Sequence, residues 1–238
     1  MATLKKTYSH VVRGDHGFTY KLHYPICGFN LEINVNPVSE LEFGTVIWDG
    51  ALGLCQYFDE HKTNFSQKKV IELGAGTGML GILIALLGAE VTITDKPNLL
   101  RQIQQNVSIN IPSSDIPRVK VRALSWGHDH IQFPSDYDVI MGTDIVYIPE
   151  SVPLILKTLQ HLSNERTVIY LASTMSICPK VIASGYGALS EHFDSNLVHK
   201  YIDKDVHVYR LSRKNITCGD RHGGGHVIRS TPTHTLNA

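Results

Sequence analysis

Between residues 69 and 172 the apolar positions fall into short runs, and the period of each run predicts its element. Val70, Ile71 and Leu73 form a β-branched run that reads as a buried strand, and Met79 to Leu87 is apolar enough for a packed helix. A second strand covers Glu90 to Thr94. A helix on Leu99, Leu100, Ile103 and Val107 then frays at Asn110-Ile111-Pro112. Arg118 to Ala123 and Tyr137 to Gly142 read as the third and fourth strands. Val152, Ile155, Leu156, Leu159 and Leu162 mark an amphipathic helix over Pro149 to Leu162, and Thr167 to Ala172 is a fifth strand. Strands alternating with helices predict an α/β fold with a parallel, doubly wound sheet. Two later strands, Ser195 to Ile202 and Val206 to Leu211, are joined only by residues 203–205, so they must pair antiparallel. Ahead of the sheet, alternation through Tyr20, Leu22, Tyr24, Leu31, Ile33 and Val35, broken at Pro25 to Gly28, predicts a β-hairpin. Trp48, Leu52, Cys55 and Phe58 have helical spacing; a Trp at such a helix start, taken alone, is core.

The junction between the first core strand and its helix carries the most chemistry. Glu72 is followed by Gly74, Ala75, Gly76 and Gly78, a turn that lets backbone approach a ligand where a Cβ would block it. The helix start behind it presents N–H groups to a carboxylate or phosphate. Gly76 to Gly81 also fits the dinucleotide pattern GxGxxG, although here the glycine directly after the strand is Gly74. Asp95, about 20 residues on at the end of the next strand, suits a ribose with free hydroxyls in either kind of cofactor. Two further sets follow strand ends, where open α/β sheets bind ligands: Trp126-Gly127 after the third strand, and Thr143-Asp144-Ile145-Val146-Tyr147 after the fourth. A helix cap followed by core residues is the plain alternative for the last of these.

Composition narrows the field. The 238 residues are 42% hydrophobic, and 22 Lys+Arg balance 22 Asp+Glu, without the basic excess typical of nucleic-acid enzymes. Cys27, Cys55, Cys178 and Cys218 lie far apart without metal spacing and read as reduced thiols of a cytosolic protein. No apolar run reaches membrane-spanning length, and the N-terminus lacks a signal-peptide core. From Asn215 the chain is polar and glycine-rich, which reads as a disordered tail. Its His222 and His226 lack a third ligand, so no metal is expected.

Together ELGAGTG (residues 72–78), VTITD (91–95), ALSWG (123–127) and GTDIVY (142–147) resemble the methyltransferase-like group of class I, seven-β-strand protein lysine methyltransferases, whose mark is an acid-x-x-Tyr motif after the fourth strand. The likeness runs from Phe18 to Arg213 and thins between Thr174 and Phe193. It implies a Rossmann-like sheet of seven strands with an antiparallel C-terminal hairpin. It divides the chain into an N-terminal extension and β-hairpin (residues 1–42), a methyltransferase domain (43–213) and a tail (214–238). It implies S-adenosyl-L-methionine (SAM) as cofactor, lined by Trp48, Gly74, Ala75, Gly76, Asp95, Trp126 and Thr143, with Glu72 helping to hold the amino end. Asp144 and Tyr147 would face the target lysine. Within the group the strings are similar to enzymes that methylate translation elongation factor 1-alpha, which implies that protein as substrate; chaperone clients occur in the group too. No direct nucleic-acid or membrane partner is implied. The expected state is a cytoplasmic monomer, with a centrosomal site suggested by family likeness. Two departures stand out. Residues 173–176 are Ser-Thr-Met-Ser where many relatives have a basic residue, and Ser125 leaves no acid next to Trp126 for an adenine amine. Methylation of another substrate and SAM binding without turnover are the competing readings.

Overall fold

The computed structural model describes residues 7–14, 17–36 and 42–214, so the glycine-rich tail with His222 and His226 lies outside the described residues. The central sheet contains seven strands in the order β6-β5-β4-β7-β8-β10-β9. Its parallel part comprises β4 (Lys69–Leu73), β5 (Glu90–Asp95), β6 (Val119–Ala123), β7 (Val139–Thr143) and β8 (Val168–Thr174). β9 (Phe193–Tyr201) and β10 (Val206–Arg213) complete it as the expected antiparallel hairpin, with β10 inserted beside β8.

Alternation along these strands sends side chains into two cores. Val70, Val91, Ile93, Val139 and Met141 pack on one face with α1 (Asp49–Glu60), α2 (Met79–Leu86) and α3 (Leu100–Asn110). Ile71, Leu73, Ile140, Ile169 and Leu171 pack on the other with α4 (Val152–Leu162) and α5 (Pro179–His192). Strands buried on both faces need the near-continuous apolar runs that made them legible. The chain leaves β4 toward β5 and leaves β7 toward β8, in opposite directions across the sheet. Strands β4 and β7 are neighbours, so the crevice at their carboxyl ends is the topological switch point.

Three elements differ from expectation. The N-terminal hairpin is part of a three-stranded antiparallel sheet, β1 (Thr7–Gly14), β2 (Gly17–Ile26) and β3 (Phe29–Val35). Helix α5 fills the stretch that carried no sequence assignment. Its apolar stripe is interrupted by Gly185 and Gly187, and Gly185 is small because Val146 packs there, 2.4 Å from where a Cβ would stand. Arg118 belongs to the turn before β6, where its guanidinium donates to the Ala85 and Ala89 carbonyls at the end of α2.

Candidate active site

The glycine turn is shaped by backbone that only glycine adopts freely. Gly74, Gly76 and Gly78 have φ of 65°, 58° and 79°. A Cβ on Gly74 would stand 2.8 Å from Ile145 Cγ2 and 2.9 Å from Trp126 Cζ2, so this glycine brings the turns after β4, β6 and β7 together. On the opposite side, a Cβ on Gly76 would lie 3.1 Å from the Gly44 carbonyl. The segment before α1 therefore folds over the turn. Gly74, Ala75 and Gly76 remain half-exposed between fully buried Leu73 and Thr77, leaving backbone facing the crevice.

Two acids brace this turn. Glu72 lies beneath it, 2% exposed, and its Oε2 accepts the Gly81 N–H of α2 at 2.9 Å. It satisfies one of the orphan donors of that helix start from outside the helix. Burial pushes its carboxyl up to about 8, against the lowering effect of the Gly81 N–H. Asp95 accepts the Gly76 N–H on Oδ2 and the Lys96 N–H on Oδ1, both at 2.7 Å. Burial raises its pKa too, opposed by these two N–H groups.

Asp144 stands at the neighbouring strand end in the left-handed region, with φ of 52°. Its own N–H donates to the Ala172 carbonyl at 2.8 Å. Its Oδ2 accepts the Gly50 N–H at 2.9 Å, and its Oδ1 the Thr174 N–H at 2.6 Å. Gly50 is in the first turn of α1, whose N-cap residue Trp48 supplies no side-chain cap. Asp144 thus does cap a helix, but one that begins nearly a hundred residues earlier in the chain. Burial raises its pKa, with the Thr174 interactions and the Gly50 N–H pulling the other way. Gly50 has no room for a side chain: a Cβ there would stand 2.3 Å from Asp144 Oδ2. The next three residues diverge. Ile145 covers Gly74, Val146 packs on Gly185, and Tyr147 stays half-buried at the rim.

The sequence-derived residues therefore gather at one edge. Gly74, Trp126 and the residue after Asp144 touch; Asp95 grips Gly76; Asp144 reaches the α1 start that follows Trp48. Thr143 ends β7, half-exposed beside them. Sequence reasoning missed Gly50 and Thr174, whose backbone N–H groups donate to Asp144, and Asp129. Asp129 comes back through a tight turn so that its Oδ1 accepts the Ser125 N–H at 2.7 Å, which braces the segment that carries Trp126. The altered residues 173–176 are tied into the fold: Ser173 Oγ and Tyr186 OH share a 3.0 Å hydrogen bond, and the Met175 N–H donates to the Asp205 carbonyl.

A seven-stranded doubly wound sheet with an antiparallel hairpin, and a glycine cradle beside an acid at its switch point, defines a Rossmann-like enzyme of the methyltransferase type. Solved structures share this fold. They include the glycopeptide N-methyltransferase MtfA, with TM-score 0.56, 13% identity, and coverage of 71% of this chain and 91% of that one. A TehB-like SAM-dependent methyltransferase from Corynebacterium glutamicum has TM-score 0.54 and 14% identity over 72% of this chain and 90% of its own. Residues 30–182 match the lysine methyltransferase family, and the chain belongs to that family. It is 44% identical over 196 residues to EEF1A lysine methyltransferase 3 of Xenopus tropicalis, spanning 82% of this chain and 87% of that protein. The mouse protein of that name is also 44% identical, with 82% and 84% covered. Protein N-lysine methyltransferase METTL21A of Xenopus tropicalis is 41% identical, with 76% and 82% covered. The activity is that of a protein-lysine N-methyltransferase.

Proposed function

We propose that the chain methylates a lysine of translation elongation factor 1-alpha, using SAM as the methyl donor. The choice of client rests on the 44% identity to relatives named for that substrate over four-fifths of the chain. The cradle suits SAM: its turn exposes backbone instead of side chains, and its acid lies at the end of the adjacent strand. Trp48, Gly74, Ala75, Gly76, Asp95, Trp126 and Thr143 line the pocket in this reading, with Glu72 supporting the turn from below. Bound SAM supplies an activated methyl group on a sulfonium.

The protein's own part is alignment and exclusion of water. A lysine amine has a reference pKa of about 10.4 and must lose a proton before it can attack. Apolar surroundings at the methyl-transfer site would disfavour the charged form, whereas a carboxylate would favour it. Asp144 has both oxygens committed to backbone N–H groups, which supports an orienting acceptor over a strong base. Tyr147 shapes the entry. The same proposal has the protein acting as a cytoplasmic monomer, with residues 1–42 as extension, 43–213 as catalytic domain and 214–238 as tail. Neither nucleic acid nor a membrane takes part. Among the described residues, no helix is long and apolar enough to cross a membrane.

Labelled SAM incubated with purified elongation factor 1-alpha tests the proposal, with Tyr147→Phe and Asp144→Asn run in parallel and peptides mapped by mass. The expected result is one labelled lysine, weakened in both variants. Cofactor binding without label on this substrate would refute the client. Label at full rate in both variants would refute the roles of Asp144 and Tyr147.

A further inference from the structure

Helix α3 carries Gln102, Asn106 and Asn110 at intervals of four, so the three amides share one face. That face lies along β3, the edge strand of the N-terminal sheet. Asn110 accepts the Glu32 N–H on Oδ1 at 2.9 Å and donates Nδ2 to the Glu32 carbonyl at 2.8 Å. Asn106 does the same for Asn34, at 2.9 and 3.2 Å. Gln102 Nε2 donates to the Asn34 and Thr45 carbonyls at 3.3 and 3.2 Å. The amide ladder stands in for a missing neighbouring strand and satisfies the open edge.

Asn106 does one thing more. It is 0% exposed, and its Nδ2 also donates to the Thr77 carbonyl at 2.9 Å. Thr77 lies inside the glycine turn, between Gly76 and Gly78. A single amide therefore holds β3 with one set of bonds and the cradle with another. Two contacts run in parallel to it. Gly78 is packed by Ile103 of α3, and Gly76 is covered by Gly44, whose neighbour Thr45 accepts the Asn36 N–H at 3.1 Å.

We propose that Asn106 is a positioning residue for the cofactor, through which docking of the N-terminal sheet and cofactor binding are thermodynamically coupled. The inference rests on the SAM reading of the cradle. Coupling is reciprocal: whatever orders β3 tightens the cradle, and an occupied cradle protects β3.

The test pairs two chemically matched variants in the full chain, with S-adenosylhomocysteine as probe. Each variant keeps the acceptor for β3 and loses the donation to it, at Asn34 for Asn106→Asp and at Glu32 for Asn110→Asp; only Asn106→Asp also loses the donation to Thr77. Calorimetry should show about tenfold weaker binding for Asn106→Asp and less than about twofold for Asn110→Asp, the weight of one buried hydrogen bond. The KM for SAM should rise in step while kcat at saturating SAM holds. Equal weakening in both variants, or none in either, overturns the inference. Should Asn106→Asp fail to fold, amide exchange of the wild-type chain decides: the probe should slow exchange at Asn34, and unchanged exchange there overturns the coupling. Wild-type chain that does not bind the probe would overturn the cofactor reading itself, and the inference with it.

Discussion

The turns leaving β4 and β7 lie side by side at the carboxyl edge of the sheet, and they reach similar backbone shapes by opposite means. After β4 the left-handed residues are glycines, beginning with Gly74 at φ of 65°, and the acids that hold the turn, Glu72 and Asp95, come from the strands. After β7 the left-handed residue is Asp144 itself, with φ of 52°, and it supplies its own carboxylate to the surrounding backbone. A non-glycine residue in that region costs roughly 1–3 kcal/mol and persists where its surroundings over-determine it. Here three hydrogen bonds do so: the Asp144 N–H donates to the Ala172 carbonyl, and its carboxylate accepts the Gly50 and Thr174 N–H groups. The contrast separates two jobs. A cofactor cradle works by lacking side chains, so glycine carries it. An acceptor site needs a side chain at a fixed place, so the acid stays despite the strain.

The largest effect expected from breaking this contrast is at Gly74. Gly74→Val puts branched carbon at a positive φ, against Ile145 and Trp126, and should cost about 2–4 kcal/mol and abolish binding of S-adenosylhomocysteine. Urea unfolding and calorimetry read the two losses separately. Next comes Asp144→Ala, which leaves the Gly50 and Thr174 N–H groups without their acceptor. A loss of about 2–3 kcal/mol is expected, with Asp144→Asn losing roughly half as much because one acceptor remains. Equal stability of the two variants in denaturant would show that the carboxylate does not brace α1.

Glu72 sharpens the contrast through pH. Its ordinary value is 4.5 and burial lifts it to about 8 in the folded chain. Between those values the folded state holds a proton that the unfolded chain has lost. Its contribution to stability is therefore complete below 4.5, lost as pH rises through about 8, and flat beyond. The slope in that window is at most about 1.4 kcal/mol per pH unit. Glu72→Gln keeps an acceptor for Gly81 and should flatten it, as urea midpoints from pH 5 to 9 would show. The smallest effect is expected for Tyr147→Phe: kcat about 3- to 10-fold lower, with the KM for SAM unchanged, in the methyl-transfer assay.

The sequence by itself determined the parallel sheet, its antiparallel ending and the location of the cradle. Strands buried on both faces must be continuous apolar runs, and a turn that admits a ligand to backbone must be glycine, so both leave local marks at Val70 to Leu73 and Gly74 to Gly78. It also marked Asp95, Trp126 and Asp144 through their positions at strand ends. Only the tertiary structure decided what those acids hold. The partners of Asp144 are the N–H groups of Gly50 and Thr174, and a backbone donor has no residue type to betray it. The same holds for Asn106, whose partners are the main chain of Asn34 and the carbonyl of Thr77. Helix α5 escaped notice because its glycine-interrupted stripe is set by the Val146 that packs into it. Local periodicity records what a segment buries; it carries no record of which distant backbone a polar side chain will meet.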